Sequence, residues 1–316
     1  MQPKQKILVV AGPTASGKTA AGIALCQRFG GEVVSADSMQ IYKHLTVGTA
    51  KPTPEEQQGV PHHLIDFLEP SENYSVAQYL EDARRAIADI ASRGKLPVIV
   101  GGTGLYISSL VDNLQFADEP QDDAIRQRLW EEARQQGAQA AWERLRQVDP
   151  ASAAAIHPNN QGRVIRALEV WERTGVPMSV CQQQARSTPS PYEPLMLALT
   201  YRDRQALYRR IDLRVDIMAQ NGLLEEARWL WEQGLASTSG QAIAYKELWD
   251  WIKGEEELPA ALDRVRQNSR RYAKRQLTWF RRDERYHWYY PDDYAGPQQL
   301  YEAIFPLVAE FLEEKR

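Results

Sequence analysis

The sequence predicts an α/β fold in which a parallel sheet is flanked by helices and interrupted by an all-helical insertion. Short apolar runs alternate with helical patterns through the first hundred residues, as in parallel sheets that are covered on both faces. Between residues 118 and 192 only helical spacing of apolar residues appears. We therefore expect an α/β core formed by residues 1–117 and 193–316, and a helical insertion formed by residues 118–192.

The first strand and the loop after it indicate the class of ligand. Ile7–Ala11 is an apolar run, and residues 12–19 match the pattern G-x-x-x-x-G-K-[ST] at the start of a helical segment. This strand–loop–helix context predicts a P-loop, so the core is expected to be P-loop NTPase-like. The predicted phosphate-binding residues are Gly12, Pro13, Thr14, Ala15, Ser16, Gly17, Lys18 and Thr19.

The chemistry of the P-loop leaves the identity of the ligand open. Backbone amides at a helix N-terminus cradle phosphate oxygens, Lys18 adds a positive charge, and the Thr19 hydroxyl is placed to ligate Mg²⁺. ATPases, GTPases, small-molecule kinases and other users of pyrophosphate groups all begin this way. The loop therefore predicts a phosphorylated ligand and a magnesium ion, but not the reaction.

A second predicted strand, Glu32–Ala36, ends at Asp37, which the fold places on the same rim as the P-loop. A carboxylate at this position can ligate Mg²⁺, bind a ribose, act as a general base, or only close a turn. Ser38, Gln40 and Tyr42 follow it and are polar groups able to read the edge of a base. The rim is thus a candidate site for both phosphate and base.

The next elements extend the α/β pattern. His63–Ile65 predicts a strand, and Ser75–Gln78 predicts a capping box that opens an amphipathic helix. Leu96–Val100 predicts a buried strand, and Gly101–Gly104 follows it as a second glycine-rich turn from strand to helix. Such a turn adds backbone donors and the Thr103 hydroxyl near the phosphates.

Later segments complete the predicted fold. Leu195–Leu199 and His287–Tyr290 predict two further strands of the sheet. Within the insertion, helices are predicted over Ala124–Gln136, Ala138–Val148 and Gly162–Thr174.

The charge is unevenly distributed, although the net charge is only −4. The segment Arg264–Arg285 is strongly basic and carries Tyr272, Trp279 and Phe280 among its cations. A basic helix is often only a solvated face. Cations for phosphate contacts together with aromatic rings for stacking favour a single-stranded RNA loop as the partner.

The composition excludes several other classes of protein. Cys26 and Cys181 are the only cysteines, so neither a disulfide framework nor a cysteine zinc site is expected. The apolar runs are too short to cross a bilayer, and no signal peptide is expected, so we predict a cytoplasmic protein without a membrane partner. The five histidines lack metal-ligand spacing and are interpreted as structural or surface residues.

Motifs spread from about Ile7 to Arg282 resemble, in order, those of the tRNA dimethylallyltransferases. Two positions depart from the family pattern: Gly162 stands where a Gln or Arg is common, and Ala244 replaces a glycine. The matching segments are Gly12–Thr19, Ala36–Tyr42, Val47–Pro52, His62–Asp66, Val100–Tyr106, Gly162–Glu169, Ala242–Glu247 and Tyr272–Arg281.

The resemblance implies that a dimethylallyl group moves from dimethylallyl diphosphate to the exocyclic N6 amine of the adenosine 3′-adjacent to the anticodon in tRNA. It implies Mg²⁺ as cofactor, Asp37 as the base, Thr103 as a catalytic hydroxyl and Arg214 as a diphosphate partner. The partners are then dimethylallyl diphosphate and the tRNA anticodon stem-loop, bound by a monomer. The residues implied to contact tRNA are Asp37, Ser38, Met39, Gln40, Thr103, Arg126, Gly162, Arg163, Val164, Ile165 and Arg166.

Three other functions remain as alternatives. A related enzyme prenylates free AMP, ADP or ATP, but such an acceptor requires neither the long insertion nor the basic aromatic segment. A P-loop kinase would use ATP and prefer a triphosphate to a diphosphate. A non-catalytic RNA-binding protein with a P-loop would bind RNA regardless of Asp37.

Overall fold

A parallel sheet organises the larger part of the chain in the computed structural model, which describes residues 4–115, 123–185, 187–234 and 239–314. Its strand order is β3-β2-β4-β1-β5-β6, and every neighbouring pair is parallel. The predicted fold class is therefore confirmed. The strands are β1 Gln5–Ala11, β2 Gly31–Ala36, β3 His62–His63, β4 Leu96–Gly101, β5 Tyr192–Leu199 and β6 Tyr286–Tyr289.

Helices account for most of the remaining described residues. They are α1 Lys18–Phe29, α2 Pro54–Gln57, α3 Val76–Ser92, α4 Gly104–Val111, α5 Asp123–Gln136, α6 Ala138–Val148, α7 Pro150–Ala155, α8 Gln161–Thr174, α9 Met178–Ala185, α10 Arg204–Gln220, α11 Leu223–Glu232, α12 Trp249–Ile252, α13 Leu258–Phe280 and α14 Pro297–Glu313. No helix within the described ranges is long and apolar enough to cross a membrane.

Helices cover the sheet on both faces because side chains alternate along its strands. In β1, Ile7 and Val9 point into a core with α3 and α4, while Leu8 and Val10 point into a second core with α1 and α14. All four side chains are fully buried. Strands buried on both faces read as continuous apolar runs, which is the pattern that predicted them.

The strand register brings three chain segments to one edge of the sheet. Ala11 at the end of β1 pairs with Gly101 at the end of β4, and Ala36 at the end of β2 pairs with the same Gly101. Gly101 accommodates this approach because it lacks a Cβ, which would lie 2.1 Å from the Ala36 carbonyl oxygen. The P-loop, Asp37 and the second glycine-rich turn therefore begin side by side.

One predicted strand was placed wrongly. The strand expected over His63–Ile65 is instead the two-residue β3, His62–His63. Leu64 and Asp66 have φ of 59° and 58°, in the left-handed region that extended chain cannot use. By contrast, the capping box at Ser75 is present, with both reciprocal hydrogen bonds formed to Gln78.

Contacts divide the chain into two compact units, Met1–Val111 with Pro191–Arg316, and Asp112–Ser190. The first holds the sheet and the second is helical, formed by α5 to α9. The predicted boundary between residues 117 and 118 lies outside the described residues. The helical unit has its own core, in which Leu129, Leu145 and Leu168 are buried.

Candidate active site

A cleft of about 290 Å³ lies in the first unit, at the carboxyl edge of the sheet. The sheet contributes polar residues from the P-loop and from the segment after β2. Helices α10 and α13 contribute the opposite walls. The residues predicted from sequence that line it are Thr14, Lys18, Thr19, Asp37, Ser38, Met39, Gln40 and Arg214.

The P-loop has the backbone shape of an anion cradle. Ala15 and Gly17 have φ of 63° and 89°, so the chain turns through left-handed conformations before α1 begins at Lys18. No side chain caps the N-terminus of α1, which leaves its first-turn amides available to an anion. Gly17 supplies the positive φ at no steric cost.

Two cations occupy the phosphate end of the cleft. Lys18 Nζ lies 3.3 Å from the Pro13 carbonyl oxygen, and Arg214 Nη1 lies 3.5 Å from Thr14 Oγ1. Burial lowers the pKa of Lys18 to about 8, with the Asp37 charge opposing this shift and the Arg214 charge adding to it. Burial also lowers the pKa of Arg214. A bound anion would compensate the desolvation of both cations.

Asp37 is held by an Asx turn. Its Oδ1 accepts hydrogen bonds from the backbone amides of Met39 at 2.9 Å and Gln40 at 3.3 Å. Both bonds use the same oxygen, so Oδ2 has no hydrogen-bond partner within the described residues. The turn thus fixes the carboxylate at the cleft wall and leaves one oxygen for a ligand.

Thr103 stands behind this wall and does not line the cleft itself. Its Oγ1 accepts a hydrogen bond from the Ser38 amide at 3.0 Å and lies 3.4 Å from Ser38 Oγ. The backbone amide of Thr103 donates to the Ala36 carbonyl at 3.0 Å. The second glycine-rich turn therefore braces the segment that carries Asp37.

The side chain of Gln40 is hydrogen-bonded to the neighbouring loop of the protein. Its side-chain amide donates to the carbonyl oxygens of Thr49 at 3.3 Å and Ala50 at 3.0 Å. These bonds hold the loop that contributes Gly48, Thr49 and Ala50 to the cleft. Gln40 therefore shapes the cleft whether or not it also contacts a ligand.

Glu226 clamps the other side of the same loop and was not identified from sequence. Its carboxylate accepts from the backbone amides of Thr46 at 2.7 Å and of Val47 and Gly48 at 2.9 Å. It also accepts from the hydroxyl of Tyr245, which is fully buried. A lone glutamate on an amphipathic helix carries no sequence signal for this role.

Helix α13 contributes Tyr272, Arg275 and Gln276 to the cleft, and none of them was assigned to it from the sequence. Their spacing of three and four puts them on one face of the helix. Burial, followed by the charge of Asp37, raises the pKa of Tyr272 above its ordinary value. The helical spacing of these three residues is the sequence signal that could have predicted this cleft-lining face of α13.

An apolar wall faces the polar residues. Ile211, Val215 and Met218 on α10 line it at helical spacing, together with Ile243. Ala244 also lines the cleft with φ of 85°, and its amide donates to Glu247 Oε2 at 2.9 Å. The glycine of the family pattern suits this backbone conformation better than alanine does.

Much of the basic segment is neutralised by acidic partners. Arg264, Arg266 and Arg270 pair with Glu256, Asp216 and Asp212. A second group is exposed and has no ion pair within the described chain. Its members are Arg271, Lys274, Arg275, Arg281 and Arg282.

In the helical unit, two predicted tRNA contacts share one partner. Arg126 and Arg166 pair with the two oxygens of the buried Glu169, at 3.1 and 2.8 Å. Val164 and Ile165 are only 1% exposed, so their side chains belong to the core. Arg163 is exposed, and Gly162 has open space where a side chain would stand.

The residues present are compatible with Mg²⁺ but not with a preformed protein cage. No group of three His, Cys, Asp or Glu suited to a metal occurs among the described residues. The cleft brings the Thr19 hydroxyl and the Asp37 carboxylate together. Mg²⁺ prefers oxygen ligands and commonly takes only one or two from protein, with phosphates and waters completing its shell.

Family models and known relatives match the chain over nearly its whole length. Residues 40–283 match the model of the IPP transferase family, and residues 5–70 match that of isopentenyl transferases. A tRNA dimethylallyltransferase of Geobacillus thermodenitrificans is 50% identical over 309 residues, which are 96% of each chain. One of Halalkalibacterium halodurans is 45% identical over 313 residues, 99% of each chain.

Solved structures align with most of this chain. The full-length tRNA isopentenylpyrophosphate transferase of Bacillus halodurans aligns with a TM-score of 0.73 and 43% identity, covering 98% of this chain and 97% of that one. A eukaryotic dimethylallyltransferase acting on tRNA aligns with a TM-score of 0.75 and 32% identity, covering 87% of this chain and 70% of that one.

Proposed function

The chain belongs to the IPP transferase family, and from this premise we propose that it transfers a dimethylallyl group from dimethylallyl diphosphate to tRNA. The acceptor is the exocyclic N6 amine of the adenosine 3′-adjacent to the anticodon, and the second product is diphosphate. The observation that carries the proposal is one cleft holding an anion cradle, a carboxylate and an apolar wall.

The cations of the cleft act on the leaving group. The bond between C1 of the dimethylallyl group and the diphosphate oxygen breaks, and its electron pair stays on that oxygen. Lys18 and Arg214, which line the cleft, and the uncapped α1 amides would stabilise this growing negative charge. Preorganised donors of this kind act strongly because they need not reorganise during the reaction.

Thr19 is the residue that would hold Mg²⁺. The ion would supply further charge neutralisation on the diphosphate. Its hydroxyl offers an oxygen donor at the phosphate end of the cleft.

The apolar wall matches the hydrocarbon part of the donor. Ile211, Val215 and Met218 face the cleft on α10, within about one helical turn of Arg214. A five-carbon chain buried there leaves water, and each buried methylene contributes about 0.8 kcal/mol. The wall would also exclude water, which would otherwise compete with the amine for the allylic carbon.

Asp37 completes the transfer at the acceptor. As the C–N bond forms, the N6 amine becomes acidic and gives a proton to the unpartnered Oδ2 of Asp37. The adenine has to leave its stack to reach this oxygen, and the Tyr272 ring at the cleft is available to a flipped base. Ser38 and Thr103 support the loop on which Asp37 stands.

The exposed cations of α13 and the segment after it are the proposed tRNA surface of the first unit. Arg271, Lys274, Arg281 and Arg282 have no acidic partner within the described chain, so they are available to phosphates. In the helical unit, Arg163 is the exposed cation among the predicted contacts.

We also propose that the protein is a monomer and acts in the cytoplasm.

A mass assay of the acceptor tests the proposal. Protein, Mg²⁺ and dimethylallyl diphosphate are incubated with an unmodified anticodon stem-loop and, separately, with AMP. We expect a dimethylallyl mass gain on the RNA alone. A gain on AMP alone would assign the protein to the nucleotide prenyltransferases, and phosphate transfer from ATP without any prenyl gain would favour a kinase.

A further inference from the structure

A small cavity lies next to the cleft, between the P-loop helix and the strands beneath it. Its volume is about 20 Å³, and its polar lining comes from Lys18, Thr19, Ser35, Asp37, Gln40 and His62. A cavity needs roughly 10–15 Å³ to hold one water molecule. It therefore has room for a single water beside Thr19, the residue proposed to hold Mg²⁺.

Two atoms of this lining are buried without a hydrogen bond. Ser35 Oγ and His62 Nε2 have no partner among the described residues. Ser35 is 4% exposed, on β2 two residues before Asp37. Buried polar atoms in native proteins are normally paired, so two such atoms left without a partner beside a water-sized cavity indicate a missing hydrogen-bond donor or acceptor.

The hydrogen bond of the other ring nitrogen, Nδ1, determines whether Nε2 of His62 is a donor or an acceptor. Nδ1 lies 2.8 Å from the carbonyl oxygen of Val60, which can only accept, so Nδ1 carries the proton. Burial lowers the pKa of His62, which favours the neutral ring. Nε2 then presents a lone pair to the cavity and requires a donor.

We propose that the cavity holds one water that donates to His62 Nε2 and Ser35 Oγ and turns its oxygen towards a magnesium ion at Thr19. This inference rests on the proposed function, because it assumes that Mg²⁺ accompanies a diphosphate in the cleft. With both protons donated, the water has only lone pairs left for the side of the cavity formed by Lys18 and Thr19.

Mg²⁺ is suited to such an arrangement. It loses water reluctantly and usually keeps several waters in its shell. Residues that hydrogen-bond a metal's ligands orient them, and their loss typically weakens metal affinity 10- to 100-fold. Ser35 and His62 are therefore positioning residues that act on the metal through water, and neither contacts the transferred group.

Calorimetry with inorganic diphosphate tests the inference apart from catalysis. The Kd of magnesium diphosphate is compared with the Kd of diphosphate in excess EDTA for each variant. Ser35→Ala removes the hydroxyl, and His62→Asn keeps a donor for Val60 while removing Nε2. For both variants we expect a 10- to 100-fold higher Kd for magnesium diphosphate and an unchanged Kd for the metal-free ligand.

Two further variants distinguish the proposed orientation of a water by Ser35 from a purely structural role of its hydroxyl. Ser109→Ala removes another fully buried, unpartnered serine hydroxyl, on α4 and outside the cavity, and should change neither Kd. Ser35→Thr keeps the hydroxyl and should restore most of the magnesium effect. Equal weakening of both Kd values by Ser35→Ala, or none, would overturn the inference. A wild-type protein that binds diphosphate in neither form would contradict the proposed function itself.

Discussion

The side-chain oxygen of Gln276 accepts a hydrogen bond from the backbone amide of Thr14 at 3.0 Å. The amide end of the same side chain donates to the Gly102 carbonyl oxygen at 2.9 Å. One buried residue of α13 therefore joins the P-loop after β1 to the glycine-rich turn after β4. The basic helix is thus part of the phosphate site as well as a candidate RNA surface.

Replacing Gln276 with Leu should destabilise the protein. The Thr14 amide and the Gly102 carbonyl would both lose their partner, at about 1–3 kcal/mol for each group left buried. Urea unfolding followed by tryptophan fluorescence measures the free energy. Gln298→Leu is the control, because Gln298 is exposed and its only hydrogen bond within the described residues is to Glu302, so its effect should stay within about 0.5 kcal/mol. Equal effects of the two variants would contradict the structural role.

Replacing Asp37 should abolish most turnover while leaving tRNA binding intact. Asp37→Asn keeps an oxygen for the amides of Met39 and Gln40 but cannot take up the proton, so single-turnover transfer should fall by roughly 10²–10⁴. Filter binding of the anticodon stem-loop serves as the control measurement. Turnover close to that of the wild type would remove Asp37 from the mechanism.

Diphosphate affinity should fall as pH rises through about 8. Desolvation lowers the pKa of Lys18 to about this value, so the side chain loses its charge above it. An anion favours the charged form, and binding near pH 8 should therefore take up protons, with affinity falling by up to about tenfold per pH unit. Calorimetry in buffers of different ionisation enthalpy measures this uptake. Lys18→Arg stays charged and should show only the titration of the ligand.

Ala244→Gly should stabilise the protein. Ala244 has φ of 85°, where an alanine is strained by about 1–2 kcal/mol, while glycine adds roughly 0.4–1 kcal/mol of unfolded-state entropy. A net gain of about 0.5–1 kcal/mol is expected in urea unfolding. Ala260→Gly, in the right-handed first turns of α13, is the matched control and should destabilise. A loss at both positions would contradict the strain argument.

Loss of an exposed cation should weaken tRNA binding in a salt-dependent way. Lys274→Ala should reduce the slope of log affinity against log salt by about 0.7–0.9. Lys95→Ala removes another exposed lysine, beside the start of β4 at the sheet edge opposite the cleft, and should leave the slope unchanged. Identical slopes for both variants would place the RNA elsewhere.

Local pattern predicted most elements of the sheet unit. The apolar runs of β1, β4 and β5 and the capping box at Ser75 were correct because burial on both faces and reciprocal capping depend on nearby residues. The strand predicted over His63–Ile65 was wrong, because the observed strand His62–His63 ends before Leu64, which with Asp66 has a left-handed backbone conformation. The side chains of Leu64 and Asp66 do not predict a left-handed backbone.

The sequence by itself determined the P-loop, the carboxylate that follows β2 and the family, because each depends on residue types at short, fixed spacing. Only the tertiary structure decided which distant residues complete the cleft. Glu226 reaches a loop about 180 residues away, and Gln276 reaches one 262 residues away, through contacts that no local spacing encodes. It also separated the cations of α13 that acidic neighbours neutralise from those that remain exposed, since pairing depends on proximity in space and not on order in the chain.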